Sequence, residues 1–294
     1  MKTFVKHILK VVLMLVLSAY VLEFFYTNIF EKSLPRTKFQ NLRALKNQSI
    51  DYVFLGSSRV ENGVSPKVIK DKIGKNAINL GFQASKMADI YLIFQLLDEY
   101  NIKYKKVFIQ VDYIFNIEKG FSNVLSYEVL PFINENKLLT NHCQFNDSIN
   151  FWRNKNLPFY RYSITSQKIG MREIVMNLLK KQTAISVNKG FDPLFGSFSG
   201  GKYALPETIS NKNKYYDLIA NYSLKNKKDV TFFTAPFRIL NNDFSFINKL
   251  KTKIPNLNDF SNQLPSNKYF QNNSHLNHNG AIAFTNVLIE KLKL

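Results

Sequence analysis

The sequence offers a serine on a tight turn as its best candidate nucleophile. The apolar segment 51–55 is typical of a buried strand, and the glycine and two serines after it predict a sharp turn. A serine on such a turn, at the carboxyl end of a parallel strand, exposes its hydroxyl. Backbone N–H groups at the start of the next helix could hold an oxyanion. The alternative role for a serine on this turn is to cap the next helix.

A serine nucleophile needs a general base, and the chain has four histidines. His7 lies in the N-terminal segment, and His142 lies in a region with weak periodicity. His275 and His278 open the last predicted helix, from which a base could reach back over the sheet. The alternative for either residue is a histidine that binds only the backbone.

Two of the strand ends resemble blocks of the SGNH/GDSL hydrolases. The segment 54–59, FLGSSR, looks like the first block of that family, which implies Ser58 as the nucleophile. The segment 79–81, NLG, looks like the second block, whose glycine N–H helps to bind the oxyanion. The resemblance therefore implies that Gly81 lies in the oxyanion hole, whereas the alternative is a glycine required by a positive φ angle.

A third segment, 274–280 or SHLNHNG, looks like the last block of the same family and implies His275 as the general base. The resemblance covers 50–112 and 228–294 and skips the middle of the chain. It is closest to membrane-anchored variants related to the D-alanyl transfer protein of lipoteichoic acid synthesis and to polysaccharide O-acetylation proteins.

The triad acid of the family is absent from its usual place. The last block usually has an acid three residues before the histidine, and Asn272 stands there in this chain. An amide can orient the imidazole, but it does not stabilise the imidazolium as a carboxylate does, so a large loss of rate is expected. Asp259 and Asp243 are alternative acids.

The third block of the family, Gly-x-Asn-Asp, is also absent. Its asparagine would complete the oxyanion hole, and Asp112 and Asn116 are the nearest candidates. We therefore expect an oxyanion hole formed by Ser58, Gly81 and Asn116. Arg59 could bind an anionic substrate, but its pattern is more typical of a plain surface arginine.

Alternating strand and helix patterns predict an α/β fold. We expect a three-layer parallel sheet flanked by helices, SGNH/flavodoxin-like, in a domain that spans 50–294. The predicted strands are 51–55, 76–80, 105–112 and 229–235, and the predicted helices are 66–74, 86–100, 208–226 and a last one after 281. The region 113–205 has weak periodicity, with a helical piece near 166–182, and is interpreted as an insertion or a lid over the sheet.

The N-terminus has the pattern of a membrane segment. Basic residues precede an uncharged run at 11–22, and Glu23 interrupts an apolar stretch that continues to Phe30. An acid near the end of a span could reach the interface. We expect 1–30 to be a cytoplasmic tip and a signal-anchor helix, and 31–49 to be a polar stalk. A cleaved signal peptide and a buried N-terminal helix are the alternatives.

Composition excludes several classes of protein. The chain is 45% hydrophobic and 14% aromatic, which is far from a disordered composition. Its single cysteine, Cys143, excludes an intramolecular disulfide and disfavours a cysteine-based metal site. The net charge of +19 is spread along the chain without a nucleic-acid-binding motif, so we expect no nucleic acid partner. No metal and no cofactor are expected.

These observations predict a membrane-tethered serine esterase or O-acyltransferase on the extracytoplasmic side. Its substrate would be an acyl ester, with a cell-envelope glycan as the suggested acceptor. Its expected partners are the lipid bilayer and a membrane-bound protein that donates the acyl group. The alternative is a catalytically degenerate relative that serves as a binding or assembly protein of the envelope. A third alternative is a basic membrane-surface protein without a site.

Overall fold

The computed structural model describes residues 1–200, 205–238 and 243–294. These residues form two compact units. The anchor unit comprises Met1–Arg36 and Ser126–Gln182, and the sheet unit comprises Thr37–Leu125 and Thr183–Leu294. The three sequence blocks therefore belong to the sheet unit. Of the predicted insertion, residues 201–204 lie outside the described residues.

The described part of the sheet unit contains five parallel strands in the order β2-β1-β3-β4-β5. They are β1 (Ser49–Gly56), β2 (Ala77–Gly81), β3 (Lys103–Gln110), β4 (Val230–Thr234) and β5 (Asn258–Asp259). Gly56 pairs with Gly81, and Leu55 pairs with Ile109, so β1, β2 and β3 end side by side. The strand order reverses between β1 and β3, the position at which open parallel sheets bind their ligands.

Helices flank the sheet within the sheet unit, and other helices form the anchor unit. In chain order they are α1 (Lys2–Lys32), α2 (Lys38–Ala44), α3 (Ser58–Glu61), α4 (Pro66–Ile73), α5 (Met87–Glu99), α6 (Asn123–Val129), α7 (Lys137–Asn146), α8 (Phe151–Asn156), α9 (Tyr160–Ile164), α10 (Ser166–Ile169), α11 (Met171–Leu178), α12 (Ala184–Val187), α13 (Lys214–Lys225), α14 (Ser245–Lys253) and α15 (His278–Leu292). Single 3-10 turns lie at Tyr113–Asn116, Leu130–Phe132 and Asn267–Tyr269.

Both faces of the sheet are buried. Tyr52 and Phe54 of β1 lie in an apolar cluster with Phe284 of α15. Since side chains alternate along a strand, Val53 and Leu55 point to the opposite face, where α5 packs against β1 and β3. The predicted α/β fold, with a parallel sheet flanked by helices, is confirmed.

The segment after α1 is partly folded into the sheet unit. Thr37 and Gln40 form a reciprocal capping box at the start of α2, which satisfies two backbone N–H groups that would otherwise be unpaired. Phe39 and Leu42 of this helix are fully buried. Part of the predicted stalk, 31–49, is therefore helical, and the domain boundaries drawn from the sequence stay a prediction.

In the anchor unit, α1 has 31 residues, and its most apolar 18-residue window has a mean hydropathy of 2.2. At about 1.5 Å per residue it is longer than the roughly 30 Å hydrocarbon core of a bilayer. By length and composition it can cross a membrane, and a signal sequence would meet the same criteria.

The C-terminal half of α1 packs against helices of the segment 126–182. Glu23 forms an ion pair with Arg161 of α9, and its second carboxylate oxygen accepts the N–H of Phe159 at 2.9 Å. One turn further along, Thr27 is hydrogen-bonded to the hydroxyl of Tyr162 at 2.8 Å. The acid that interrupts the apolar stretch therefore has a buried cationic partner, which its sequence context did not indicate.

Candidate active site

The nucleophile candidate lies where β1 ends. Ser57 is the N-cap of α3, and Ser58 is the first residue of that helix. The side-chain oxygen of Gln110 accepts the backbone N–H of Ser57 at 2.9 Å and its hydroxyl at 3.0 Å. A Cβ on Gly56 would lie 2.7 Å from the same oxygen, so the turn requires glycine there. The end of β3 thus fixes the turn that presents Ser58.

Ser58 and His275 form a direct hydrogen bond. The Oγ atom of Ser58 lies 2.8 Å from Nε2 of His275, although 217 residues separate the two in sequence. The sequence suggested that His275 opens the last helix, but that helix begins at His278. His275 lies in a loop before α15, where the N–H of Gln271 donates to its carbonyl at 2.9 Å.

The second ring nitrogen of His275 faces the side chain of Asn272. Oδ1 of Asn272 lies 3.1 Å from Nδ1 of His275. The same oxygen accepts the backbone N–H groups of Ser274 and of His275, each at 3.0 Å. Because a backbone N–H can only donate, the oxygen of the amide, rather than its nitrogen, must point toward the ring.

This orientation determines the tautomer of His275. An oxygen that already accepts two N–H groups can only accept from Nδ1, so Nδ1 carries the proton and Nε2 is free to accept from Ser58. The hydroxyl of Ser274, 3.0 Å from Nδ1 and 3.2 Å from Oδ1 of Asn272, joins the same network. The ring therefore has the tautomer that a general base needs.

The electrostatic environment keeps His275 neutral. Burial and, to a lesser extent, the nearby guanidinium of Arg59 together lower the pKa of its imidazole from 6.5 to about 4. No carboxylate contacts the ring among the described residues, so nothing offsets these effects. The ring is in its basic form at neutral pH, but it is a weak base.

Arg59 connects four parts of the site. Its guanidinium pairs with Asp112 at the end of β3, and it donates to the carbonyls of Ala235 at 2.7 Å and Pro236 at 2.6 Å, after β4. Its Nε donates to the carbonyl of Ser274 at 3.0 Å, next to His275. The sequence predicted a surface arginine, which is wrong: Arg59 is 2% exposed. Burial of the charge requires this full set of acceptors.

The predicted oxyanion residue Gly81 lies close behind the nucleophile. A Cβ at this position would lie 2.6 Å from the backbone nitrogen of Glu61 and 2.7 Å from the carbonyl oxygen of Ser57. The N–H of Gly81 donates to Oδ1 of Asn79 at 3.0 Å, and its carbonyl accepts from the buried Lys38. Gly81 therefore permits close packing of β2 on α3, and its own N–H already has an acceptor.

The turn directly after Gly81 carries unengaged N–H groups. The N–H of Ser85 donates to the carbonyl of Phe82 at 3.1 Å, and Ala84 has φ of 56°. A positive φ at the third position of a β-turn normally requires glycine or asparagine, so this backbone is strained. In the described part of the chain, the N–H groups of Ser58, Gln83 and Ala84 donate to no protein atom.

The remaining predicted residues lie in other local networks. Asn116 donates from its amide to the carbonyl of Thr208 at 2.8 Å and accepts the N–H of Ser210 at 2.9 Å. Asp259 pairs with Lys251 at 2.6 Å. These contacts join Asn116 to a loop and Asp259 to α14, and the structure brings neither residue to His275.

Asp243 and His278 are likewise engaged elsewhere. Asp243 accepts the N–H of Ser245 at 2.9 Å. His278 is the first residue of α15, and its ring lies against the rings of Phe191 and Phe195, with centroids 6.4 and 5.3 Å away. Within the described residues, His275 alone among the histidines contacts Ser58.

The sequence did not indicate Gln110, and it indicated Asp112 only as a replacement for the asparagine of the third block. Gln110 and Asp112 are fully buried at the end of β3 and hydrogen-bond to each other at 2.5 Å, so they link the turn of Ser57 to Arg59. The available signal was a pair of polar residues at the end of an apolar strand. In the described residues, no group of three or more His, Cys, Asp or Glu side chains could hold a metal ion.

Comparison with known proteins does not assign the chain to a family. No protein-family model matches the sequence, and no curated protein matches it either. One solved structure, described as "a putative platelet activating factor from Streptococcus pneumonia", is similar at 10% identity with a TM-score of 0.36, covering 98% of this chain and 99% of that one.

Proposed function

We propose that the chain is a membrane-tethered serine esterase or O-acyltransferase of the SGNH/GDSL type. The observation that carries this proposal is the hydrogen-bonded series from Ser58 through His275 to Asn272, with distances of 2.8 and 3.1 Å. A serine, a base and a group that orients the base form the minimal arrangement for nucleophilic acyl transfer. The series lies at the reversal point of the strand order, where such sheets bind ligands.

In the proposed reaction, Nε2 of His275 accepts the proton of Ser58 as Oγ attacks the acyl carbonyl carbon. The tetrahedral intermediate collapses when the imidazolium returns that proton to the leaving alcohol, which gives an acyl-serine. Water or the hydroxyl of a glycan then attacks this ester while His275 takes its proton, and the acyl–Oγ bond breaks as the imidazolium returns that proton to Oγ of Ser58. Hydrolysis and transfer differ only in that second nucleophile.

The oxyanion requires N–H donors beside Ser58. Its own N–H is unengaged, as are those of Gln83 and Ala84 in the turn after β2. Gly56 and Gly81 are paired where the two strands end, and the N–H of Phe82 donates to the carbonyl of Gly56 at 3.1 Å, so the turn after β2 begins beside the turn that carries Ser58. We therefore assign the second donor to this turn, in place of Gly81 or Asn116.

The setting of the reaction follows from α1 and from the resemblance of the sequence blocks. Lys2, Lys6 and Lys10 precede the apolar run, and by the positive-inside rule this pattern supports an extracytoplasmic position for the sheet unit. The resemblance to D-alanyl transfer and polysaccharide O-acetylation proteins suggests an envelope glycan as acceptor and a membrane-bound protein as acyl donor.

A fluorophosphonate probe tests the proposal on the full-length protein in detergent. An activated serine attacks the probe, so we expect covalent labelling at Ser58, mapped by peptide mass spectrometry. Ser58→Ala should abolish labelling and His275→Ala should slow it at least about 100-fold. His278→Ala is the matched control and should label normally. Labelling that is equal in Ser58→Ala and the unaltered protein would refute the assignment.

A second function is favoured by one observation, the amide at Asn272. If the missing carboxylate has removed catalysis, the same pocket would serve binding or assembly in the envelope. In that case, a well-folded protein would not react with the probe, and it would retain an acylated glycan equally well with Ser58 or with alanine at that position. Binding that depends on the Ser58 hydroxyl, together with labelling, would favour the enzyme.

A further inference from the structure

The anchor unit contains an open apolar groove between α1 and the end of α11. The groove has a volume of about 600 Å³. Its apolar walls are Phe24, Phe25, Ile29, Leu34 and Leu178. A volume of this size lies within the range of about 300–1,000 Å³ that is typical of sites for small-molecule ligands.

The rim of the groove is polar and basic. Lys32 and Lys180 line it and are exposed, and neither pairs with a carboxylate in the described part of the chain. Two of the neutral polar residues are paired with each other, since the hydroxyl of Ser33 donates to Oδ1 of Asn177 at 2.7 Å. The groove therefore combines an apolar interior with two unpaired positive charges at its edge.

The position of the groove along α1 corresponds to a membrane interface. Its first wall residue, Phe24, comes directly after Glu23, which ends the uncharged run at 11–22. With that run in the hydrocarbon core, the groove lies where acyl chains meet headgroups. Lysines at such a level attract anionic lipids.

Other exposed apolar side chains of the anchor unit support this placement. Outside residues 1–32, nine large hydrophobic residues between 145 and 179 are exposed, against four elsewhere in the described chain (Leu34, Val187, Phe195 and Leu224). Met171, Val175 and Leu178 lie on one face of α11, and Trp152 of α8 is 61% exposed. Tryptophan is enriched at membrane interfaces, and soluble surfaces rarely concentrate apolar groups in this way.

We infer that this groove binds one anionic glycerophospholipid of the surrounding membrane. An acyl chain would lie between Phe25, Ile29 and Leu178, and the phosphate would contact Lys32 and Lys180. The two exposed lysines complement the charge of a phosphate, and the apolar walls complement an acyl chain, so both halves of a phospholipid find a matching surface in one groove. Bound lipid would hold α11 to α1 and so fix the anchor unit in the interface.

Native mass spectrometry of the full-length protein in detergent tests the inference. The probes are phosphatidylglycerol and phosphatidylcholine with identical oleoyl chains. We expect one phosphatidylglycerol to be retained per chain, with an affinity at least about tenfold above that of phosphatidylcholine. Equal retention of the two lipids, or graded binding of many copies without a first tight one, would overturn the inference.

Two pairs of variants separate the headgroup site from the acyl site. Lys32→Ala/Lys180→Ala should reduce phosphatidylglycerol binding to the level of phosphatidylcholine, whereas Lys212→Ala/Lys225→Ala removes the same charge from exposed sites on the sheet unit and should change nothing. Leu178→Trp should fill the groove and weaken the binding of both lipids. Leu179 is next to it but outside the groove lining, so Leu179→Trp should leave the binding of both lipids unchanged.

A photo-crosslinking amino acid in place of Leu34 distinguishes the occupants in cells. Crosslinks to phospholipid support the inference. Crosslinks to a single protein, with no lipid adduct, would show that the groove is a protein docking site and would contradict it. Neither result depends on the reactivity of Ser58, so failure here leaves the proposed enzyme function untouched.

Discussion

Oδ1 of Asn272 accepts from Nδ1 of His275 at 3.1 Å and is held in that orientation by two backbone N–H groups of the same loop. An amide with this fixed orientation supplies the geometric role of a triad carboxylate without its charge. The site is therefore organised for the correct tautomer of His275 but lacks stabilisation of the imidazolium.

Asn272→Asp should activate the site. An aspartate keeps the acceptor oxygen and adds a negative charge beside the ring, which raises the pKa of His275 and stabilises its protonated form. We expect the second-order rate of fluorophosphonate labelling to rise at least about tenfold. Asn272→Ala, which removes the acceptor, should lower it. Equal rates in all three proteins would mean that residue 272 does not act on the ring.

The pH dependence of labelling should reflect the buried imidazole. The pKa of His275 is lowered to about 4, and the neutral ring is the reactive base. Reactivity should therefore be constant from pH 8 down to about pH 5 and fall as the pH approaches 4, instead of falling near 6.5. Stopped-time labelling across this range gives the inflection. An inflection near 6.5 would contradict the burial of His275, and Asn272→Asp should move it upward.

Replacement of Arg59 should destabilise the protein and also slow the labelling of Ser58. Arg59→Met leaves Asp112 buried without a counter-ion, which costs about 3–5 kcal/mol. Arg59→Lys keeps the charge but loses the forked set of carbonyl contacts, so an intermediate loss is expected. Thermal unfolding in detergent measures both variants. Arg153→Lys, at an exposed site on α8, is the control. If the Arg59 variants unfolded at the same temperature as this control, the buried role of Arg59 would be contradicted.

Gly81→Ala should displace Ser58, although residue 81 itself would not contact the substrate. Its Cβ would lie 2.6 and 2.7 Å from backbone atoms of Glu61 and Ser57, so α3 and β2 must separate. A displacement of this kind can reduce the rate about 100-fold. Ala84→Gly relieves a positive φ in the adjacent turn and should leave labelling intact. The result to look for is a labelling defect in the first variant that the second lacks.

Glu23→Gln should loosen the anchor unit. Arg161 is 3% exposed, and the carboxylate of Glu23 is its ion-pair partner. Loss of that charge leaves a buried guanidinium uncompensated, and we expect a destabilisation of about 3 kcal/mol. Limited proteolysis in detergent should then cut faster within 126–182. The control variant Glu31→Gln, at an exposed position of the same helix, should be cleaved at the same rate as the unaltered protein.

Sequence patterns were sufficient where the structure depends on neighbours along the chain. The apolar run before Gly56 predicted β1, and the face formed by Ile90, Phe94 and Leu97 predicted α5, because strand and helix periodicity are local properties. The α/β class followed from the alternation of such segments. The two-residue strand β5 was missed, since a segment so short has no periodicity.

The candidate pair Ser58 and His275 could also be named from the sequence, because short blocks around both residues resemble those of the SGNH/GDSL hydrolases. One turn carried the serine, and four histidines left little choice of base. The sequence could not show which atoms meet. The orientation of Asn272, the burial of Arg59 and the occupied N–H of Gly81 all depend on backbone groups from distant segments. Those groups approach one another only when the parallel strands align, and so tertiary structure alone determined the tautomer, the charge balance and the donors of this site.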